Sequence, residues 1–293
     1  MQQNTAKVSS DFSNHTILIK RVILLVIIGY FCFRWYSHLM PYQLLGAPLA
    51  KVEYNILSLS YRFINADNLL NQNLPISIFG SISLLLIPIL LLKYTNNKIL
   101  GWLFVFNNLM YHVYYTTHTA FFYHYWAGVI IISIVFLSTD KISVNFIWKG
   151  IRYIICTLYV SAFFWKFANG AIFQFDFGES VFKRNLSNFL YLYPESFMTA
   201  VYQFFLSNPI LLNLGTYACF LMEGAFLIAY FTTKYDKLLI LNILLLHHFL
   251  YLFIDTLFIE WYILALPFLS VKFWNTLQLK LNKSKPQLSP SHP

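Results

Sequence analysis

Apolar residues along this chain come in eight long runs, 17–36, 75–92, 99–115, 120–137, 150–167, 210–232, 238–254 and 257–273, separated by polar or basic stretches. Each approaches the ~20 residues that a helix needs to cross the hydrocarbon of a bilayer. The pattern predicts an all-α integral membrane protein with about eight transmembrane helices in one bundle. Residues 1–16 read as a polar N-terminal segment and 17–275 as the membrane domain. Residues 276–293, ending in "NKSKPQLSPSHP", read as a disordered basic tail. Two connections, 37–74 and 168–209, are long for structureless loops and are expected to cap something. Within the second, "FMTAVYQFFL" at 197–206 is apolar but too short to span, which predicts an interfacial or re-entrant segment.

The polar punctuation sets a direction. With the N-terminus cytoplasmic, 14 of the 20 Lys and Arg fall on the inner side, and Arg34, Lys51, Arg62, Lys166, Lys183 and Arg184 fall outside. That is the bias of the positive-inside rule, so both termini are expected to be cytoplasmic and both long connections outer. The first run has a basic flank like a secretion signal, but it is longer than a signal core and no small-residue cleavage site follows it. It is expected to stay as an anchor.

Composition sharpens this picture. With 58% hydrophobic and 11% charged residues, the chain is not an ordinary soluble domain. The net charge of +9 does not point to nucleic acid, because the cations sit at the ends of apolar runs and form no single basic face. The bilayer itself is the partner these runs imply. Cys32, Cys156 and Cys219 are far apart and form neither a metal pair nor a disulfide framework.

Ionisable groups at membrane depth are the candidate chemistry, because they are costly unless paired, hydrated or functional. Lys166 ends the fifth run in "SAFFWKFANG". One reading is a lysine whose ammonium snorkels to the headgroups. The other is a base whose amine loses its proton among Phe163, Phe164, Trp165 and Phe167. His124, in "FFYHYWAG", is either an interfacial histidine or a functional one. His112 and His118 are six residues apart and turn to different faces of a helix, as do the adjacent His247 and His248. Neither HxxxH nor HxxHH is present, so no metal site is expected. Glu223, in "CFLMEGAF", is expected to pair with His247 or His248 on the next run. No Walker loop, GxSxG elbow or GxGxxG turn occurs.

Four stretches also resemble a known family. "YVSAFFWKFANG" with the following "FDFG" is similar to the tyrosine, apolar run, lysine and glycine pattern of the vitamin K-dependent gamma-glutamyl carboxylases and their bacterial relatives, the HTTM (horizontally transferred transmembrane) family. "HYWAGVIIISIVFLSTD" resembles the family's histidine-led helix, and "EGAFLIAYF" and "LLLHHFLYLF" its glutamate and histidine helices. The order and rough spacing agree across about residues 100–275. The spacing from Lys166 to the glycine of "FDFG" is about four residues longer than in the family, and the tryptophan after the lysine is missing.

The resemblance implies a multi-pass protein of the cell (inner) membrane with a quinone or hydroquinone as its lipid-soluble cofactor. It implies Lys166 as the base and His124 as its assistant at the substrate; Glu223, His247, His248, His112 and Trp165 are the residues expected to bind substrate. The large lumenal region that helps the animal enzymes grip protein substrates has no counterpart before Pro293, so carboxylation of a propeptide-bearing protein is not expected. Two functions follow as expectations. One is a carboxylase-like or quinone-linked enzyme with an outer-facing polar site. The other, suggested by a bacterial relative that matures a secreted sporulation-delaying toxin, is a non-catalytic membrane factor that binds a peptide, lipid or protein partner on the outer side.

Overall fold

The computed structural model describes residues 12–46, 63, 65–117, 127–254 and 259–283. Among these every regular element is helical. Five helical stretches are long and apolar enough to cross a membrane: Ser13–Tyr36, Leu74–Lys93, Lys141–Ala168, Pro209–Tyr230 and Asp236–Phe253. The all-α, membrane-type fold class is therefore present. The chain divides into two compact units, Met1–Trp148 with Leu269–Pro293, and Lys149–Phe268.

In the first unit, α1 (Thr16–Tyr36) buries Ile19, Ile23, Leu24, Ile27 and Phe31 along one stripe and leaves Leu25 and Val26 exposed on another. That is the helical period of a segment with one protein-facing and one lipid-facing side. Lys20 lies on the buried stripe, and its ammonium donates to the Ser138 carbonyl at 2.6 Å. After a short helix, α2 (Ala66–Gln72), α3 (Leu74–Lys93) starts where the Asn73 side chain accepts from the Ile76 N–H and a proline occupies the first turn. Ser77, Ser81 and Ser83 are buried on α3, small enough for close helix approach, and each hydroxyl donates to a backbone carbonyl.

The 20-residue α4 (Lys98–Thr117) matches the predicted third run but is not among the five span-length apolar stretches; Asn107, Asn108 and His112 interrupt it. Next, α5 (Ala127–Ser133) tightens into a 3-10 turn at Ile134–Leu137, so the fourth run is helical from 127 to 137. Gly101 of α4 lies against that turn, where an added Cβ would stand 2.2 Å from the Phe136 carbonyl oxygen. Gly101→Ala is expected to lower stability by about 1–3 kcal/mol, because backbone cannot rotate aside as a side chain can. Thermal melting of the purified protein in detergent measures it, and an unchanged midpoint would show that the two segments are not in contact.

The 28-residue α6 (Lys141–Ala168) begins nine residues before the apolar run expected at 150–167. Its start carries Lys141, Ser143, Asn145 and Lys149, which read as a polar loop. The determinant is Asp140, whose carboxylate accepts from the Ser143 N–H at 2.8 Å and caps the first turn. That backbone bond holds the Asp140 carboxyl below its ordinary range. A last helix, α7 (Val271–Lys283), also belongs to the first unit; Trp274 is buried edge-on against Trp148, and Gln278 bonds His15 at 2.9 Å. Residues 276–283, expected in a disordered tail, are thus ordered helix, because a buried tryptophan anchors the turn before them.

The second unit holds the rest of α6. The expected outer connection 168–209 is mostly helical, with α8 (Phe177–Leu192) and α9 (Phe197–Leu206) inside it. The latter coincides with the "FMTAVYQFFL" segment. At 10 residues and ~1.5 Å per residue it cannot span a bilayer. Phe182 and Leu186 of α8, Tyr202 of α9 and Leu212 form one buried cluster. From there α10 (Pro209–Gly224) tightens into a 3-10 stretch, Ala225–Tyr230, and α11 (Asp236–Ile254) follows. The final run, expected as one helix over 257–273, is a 3-10 segment at Ile259–Phe268, with α7 starting separately at Val271. Pro267 lacks a donor for a continuous ladder, and the Ser270 hydroxyl accepts from the Phe273 N–H at 3.3 Å.

Candidate functional site

Lys166 and Tyr159 lie seven residues apart on α6, two turns along one face, with Phe163 between them. Facing them in antiparallel order are Phe220 and Glu223 of α10, Gly224, and Phe226 of the 3-10 stretch. Gly224 makes the close approach possible, since a Cβ there would lie 3.3 Å from the Phe163 ring. Asn242 of α11 donates to the Met222 carbonyl at 2.6 Å and fixes the end of α10.

At the centre is an ion pair. The Lys166 ammonium donates to both carboxylate oxygens of Glu223, at 2.5 Å for Oε2, and lies 5.5 Å from the centre of the Phe220 ring. The Lys166 side chain is 23% exposed and that of Glu223 11%, so the pair is mostly enclosed. The expected partner of Glu223 was His247 or His248, and this is corrected: the partner is Lys166. A lysine stem on a helix leans toward the N-terminus, so the amine at the end of α6 reaches back to the level of Gly224. Lys166 is accordingly neither a lone snorkelling cation nor an isolated amine among aromatics.

His247 has a different partner. Its Nε2 and the Tyr159 hydroxyl are 2.7 Å apart, and the Tyr159 ring stacks on Phe226 at 4.1 Å and meets Trp261 edge-on at 5.7 Å. His247 also lies 5.1 Å from Trp261, ring to ring. The two polar pairs, Lys166 with Glu223 and Tyr159 with His247, therefore line up along the same face of α6, two turns apart. Tyr159 was missed as a site residue, although it opens the "YVSAFFWKFANG" stretch and its spacing to Lys166 was readable.

The other expected site residues fall elsewhere. Trp165 is 66% exposed and turned away from the pair, the placement its position next to Lys166 dictates on a helix. His248 diverges from His247 and meets the Tyr262 hydroxyl at 3.1 Å on an exposed edge. His112 belongs to the first unit, where it closes a buried polar chain. Its Nδ1 donates to the Asn108 carbonyl at 2.7 Å, so its Nε2 accepts from the Tyr30 hydroxyl at 3.1 Å, and that oxygen accepts from Arg34 Nε at 3.0 Å. A histidine bonded at both nitrogens in this way is a structural one. His118, His124 and Asp255 lie outside the described residues. No group of three or more His, Cys, Asp or Glu among the described residues could hold a metal ion.

Arg152, read from the sequence as a topology signal, has a local task. Its guanidinium donates to the Ala229 carbonyl at 2.8 Å, the Thr232 carbonyl at 3.2 Å and the Asp236 carboxylate at 2.8 Å. It gathers the carbonyls left open at the end of the 3-10 stretch and ties them to the start of α11. Arg152→Lys is expected to cost about 1–3 kcal/mol, because one ammonium cannot reproduce a planar fork aimed at three acceptors. A detergent melt reads this directly, and a wild-type midpoint would mean that the three bonds add nothing to stability.

No protein-family model, curated protein or solved structure matches the chain.

Proposed function

We propose that this chain is a multi-pass membrane enzyme of the inner membrane, with eight crossings and both ends cytoplasmic, that removes a proton from a lipid-soluble substrate at an outer-facing site. The reading follows the resemblance to the HTTM and gamma-glutamyl carboxylase family, and the orientation follows the charge bias. The observation that carries it is the Lys166–Glu223 pair, mostly enclosed, with the lysine the more exposed partner. The five apolar spans supply the membrane setting.

The residues around the amine suit a hydroquinone. Phe220 lies under the ammonium, so a flat ring that reaches the pair has an aromatic surface to lie on. A hydroquinone, when bound, supplies an acidic hydroxyl. If one ammonium proton passes to the Glu223 carboxylate, the ion pair becomes a neutral amine beside a carboxylic acid, and Lys166 gains a lone pair at Nζ. It takes up the hydroxyl proton there, the O–H electrons stay on oxygen, and the loaded pair carries one positive charge beside that oxygen. Glu223 holds the amine in place, and Tyr159 with His247 braces the same face of α6.

The test is an anaerobic absorbance titration of 1,4-naphthohydroquinone with the purified full chain in detergent. Deprotonation of the bound ring is expected about one pH unit or more below that of the free ring, as an adjacent opposite charge produces. Lys166→Met should abolish the shift. An unshifted titration with the wild-type protein would overturn the enzyme reading and leave the pair as a clamp, in a non-catalytic maturation or binding factor for a peptide, lipid or protein partner.

A further inference from the structure

The first unit carries a second polar feature, unrelated to Lys166 and Glu223. Where α1 begins, α3 ends and α4 begins, an open cleft of about 340 Å³ is lined by Ile17, Arg21, Lys93, Thr95, Asn96 and Asn97, with Tyr94 beside them. No carboxylate lines it among the described residues. Both cations present their charge at this edge. On α1 the neighbouring Lys20 is turned inward to the Ser138 carbonyl, which leaves exposed Arg21 as the outward cation of that turn. Lys93, the last residue of α3, lies 5.3 Å from the Tyr94 ring and is exposed. Asn97 uses its side-chain oxygen to accept from the Leu100 N–H at 3.0 Å, so its NH₂ is the end left to donate.

These groups are all donors, and they stand at the ends of two membrane-length helices, the depth of lipid headgroups. Beside them are Ile17 and the exposed Ile89 and Leu90 of the last turns of α3, an apolar strip that continues from the cleft toward the hydrocarbon. A phosphate with an attached acyl chain matches both parts; a free phosphate matches only the first. We propose that this cleft binds the headgroup phosphate of an anionic membrane phospholipid, with Arg21 and Lys93 on the phosphate, the Asn97 amide donating beside them, and an acyl chain along Ile89 and Leu90.

Native mass spectrometry of the full chain in detergent, titrated with phosphatidylglycerol or phosphatidylcholine of the same acyl chains, tests this. Phosphatidylglycerol is expected to bind in preference, and the Arg21→Gln/Lys93→Gln variant to lose about thirtyfold in its affinity, as two interfacial cations imply. The charge-matched Lys234→Gln/Lys237→Gln variant should keep the preference, and both variants should melt like wild type, since all four side chains lie at the surface. Equal binding of the two lipids, or a preference that survives loss of Arg21 and Lys93, would overturn the proposal. Displacement of the lipid by inorganic phosphate at equal concentration would overturn the lipid assignment and make the cleft a soluble-phosphate site.

Discussion

Glu223→Leu is expected to be the most damaging single substitution in the second unit, lowering stability by about 3 kcal/mol or more. The change removes both acceptors of the Lys166 ammonium and leaves a cation enclosed against Phe220 with no counter-charge. Because 23% of the Lys166 side chain is exposed, the cost stays toward the lower end of the range for buried pairs. Glu223→Gln should be milder, about 1–2 kcal/mol, because the amide oxygen still accepts a hydrogen bond. Lys166→Met combined with Glu223→Leu should recover much of the loss, since two apolar side chains leave no orphaned charge. Melting curves of the four proteins in one detergent decide it. A Leu variant as stable as wild type would mean that the pair does not form in the folded protein.

That the partner is Lys166 shows where reading the chain as a set of membrane runs reaches its limit. The runs themselves were legible, and the bounds expected for the second, 75–92, lie within one residue of Leu74–Lys93. Hydropathy reports how far a segment stays apolar, however, and says little about where its helix starts. Lys141, Ser143, Asn145 and Lys149 are polar, so α6 was expected to begin at 150, although Asp140 three residues before Ser143 is a cap that could have been read. Depth estimates counted from those ends placed Lys166 at the surface and Glu223 near the middle. The stem of a lysine and the tightening of α10 after Gly224 bring the two groups level, and neither is visible in a window average. Tyr159 was overlooked for a related reason: at an apolar position a tyrosine adds little to a hydropathy profile, and its hydroxyl acquires a role only through His247 on α11.

The short helices were harder still. In α8 the buried positions Phe182 and Leu186 recur four residues apart on an otherwise polar segment, so the stretch reads as loop unless the helical period is sought deliberately. Gly178 on the same face stands where a Cβ would come within 2.2 Å of the Thr216 hydroxyl, which ties the beginning of α8 to α10. The connection after Ala168 is therefore packed structure, with α8 lying against α10, the helix that carries Glu223.

Lys166→Arg separates a base from a clamp, because it keeps the ion pair and removes the lone pair. An arginine fork can bond both Glu223 oxygens, so folding and melting temperature should stay near wild type, within about 1 kcal/mol. Its guanidinium is protonated at every working pH and cannot take up a proton. The naphthohydroquinone shift should therefore vanish in the arginine variant, while Lys166→Met loses both the shift and part of the stability. If the pair were only a clamp, arginine and wild type would behave alike in both measurements, and the aromatic surface around Phe220 would be packing alone. If Glu223 were the group that receives the proton, with the lysine a fixed cation beside it, the arginine variant would keep the shift and Glu223→Gln would lose it. Arginine at position 166 is expected to keep the fold and lose the chemistry.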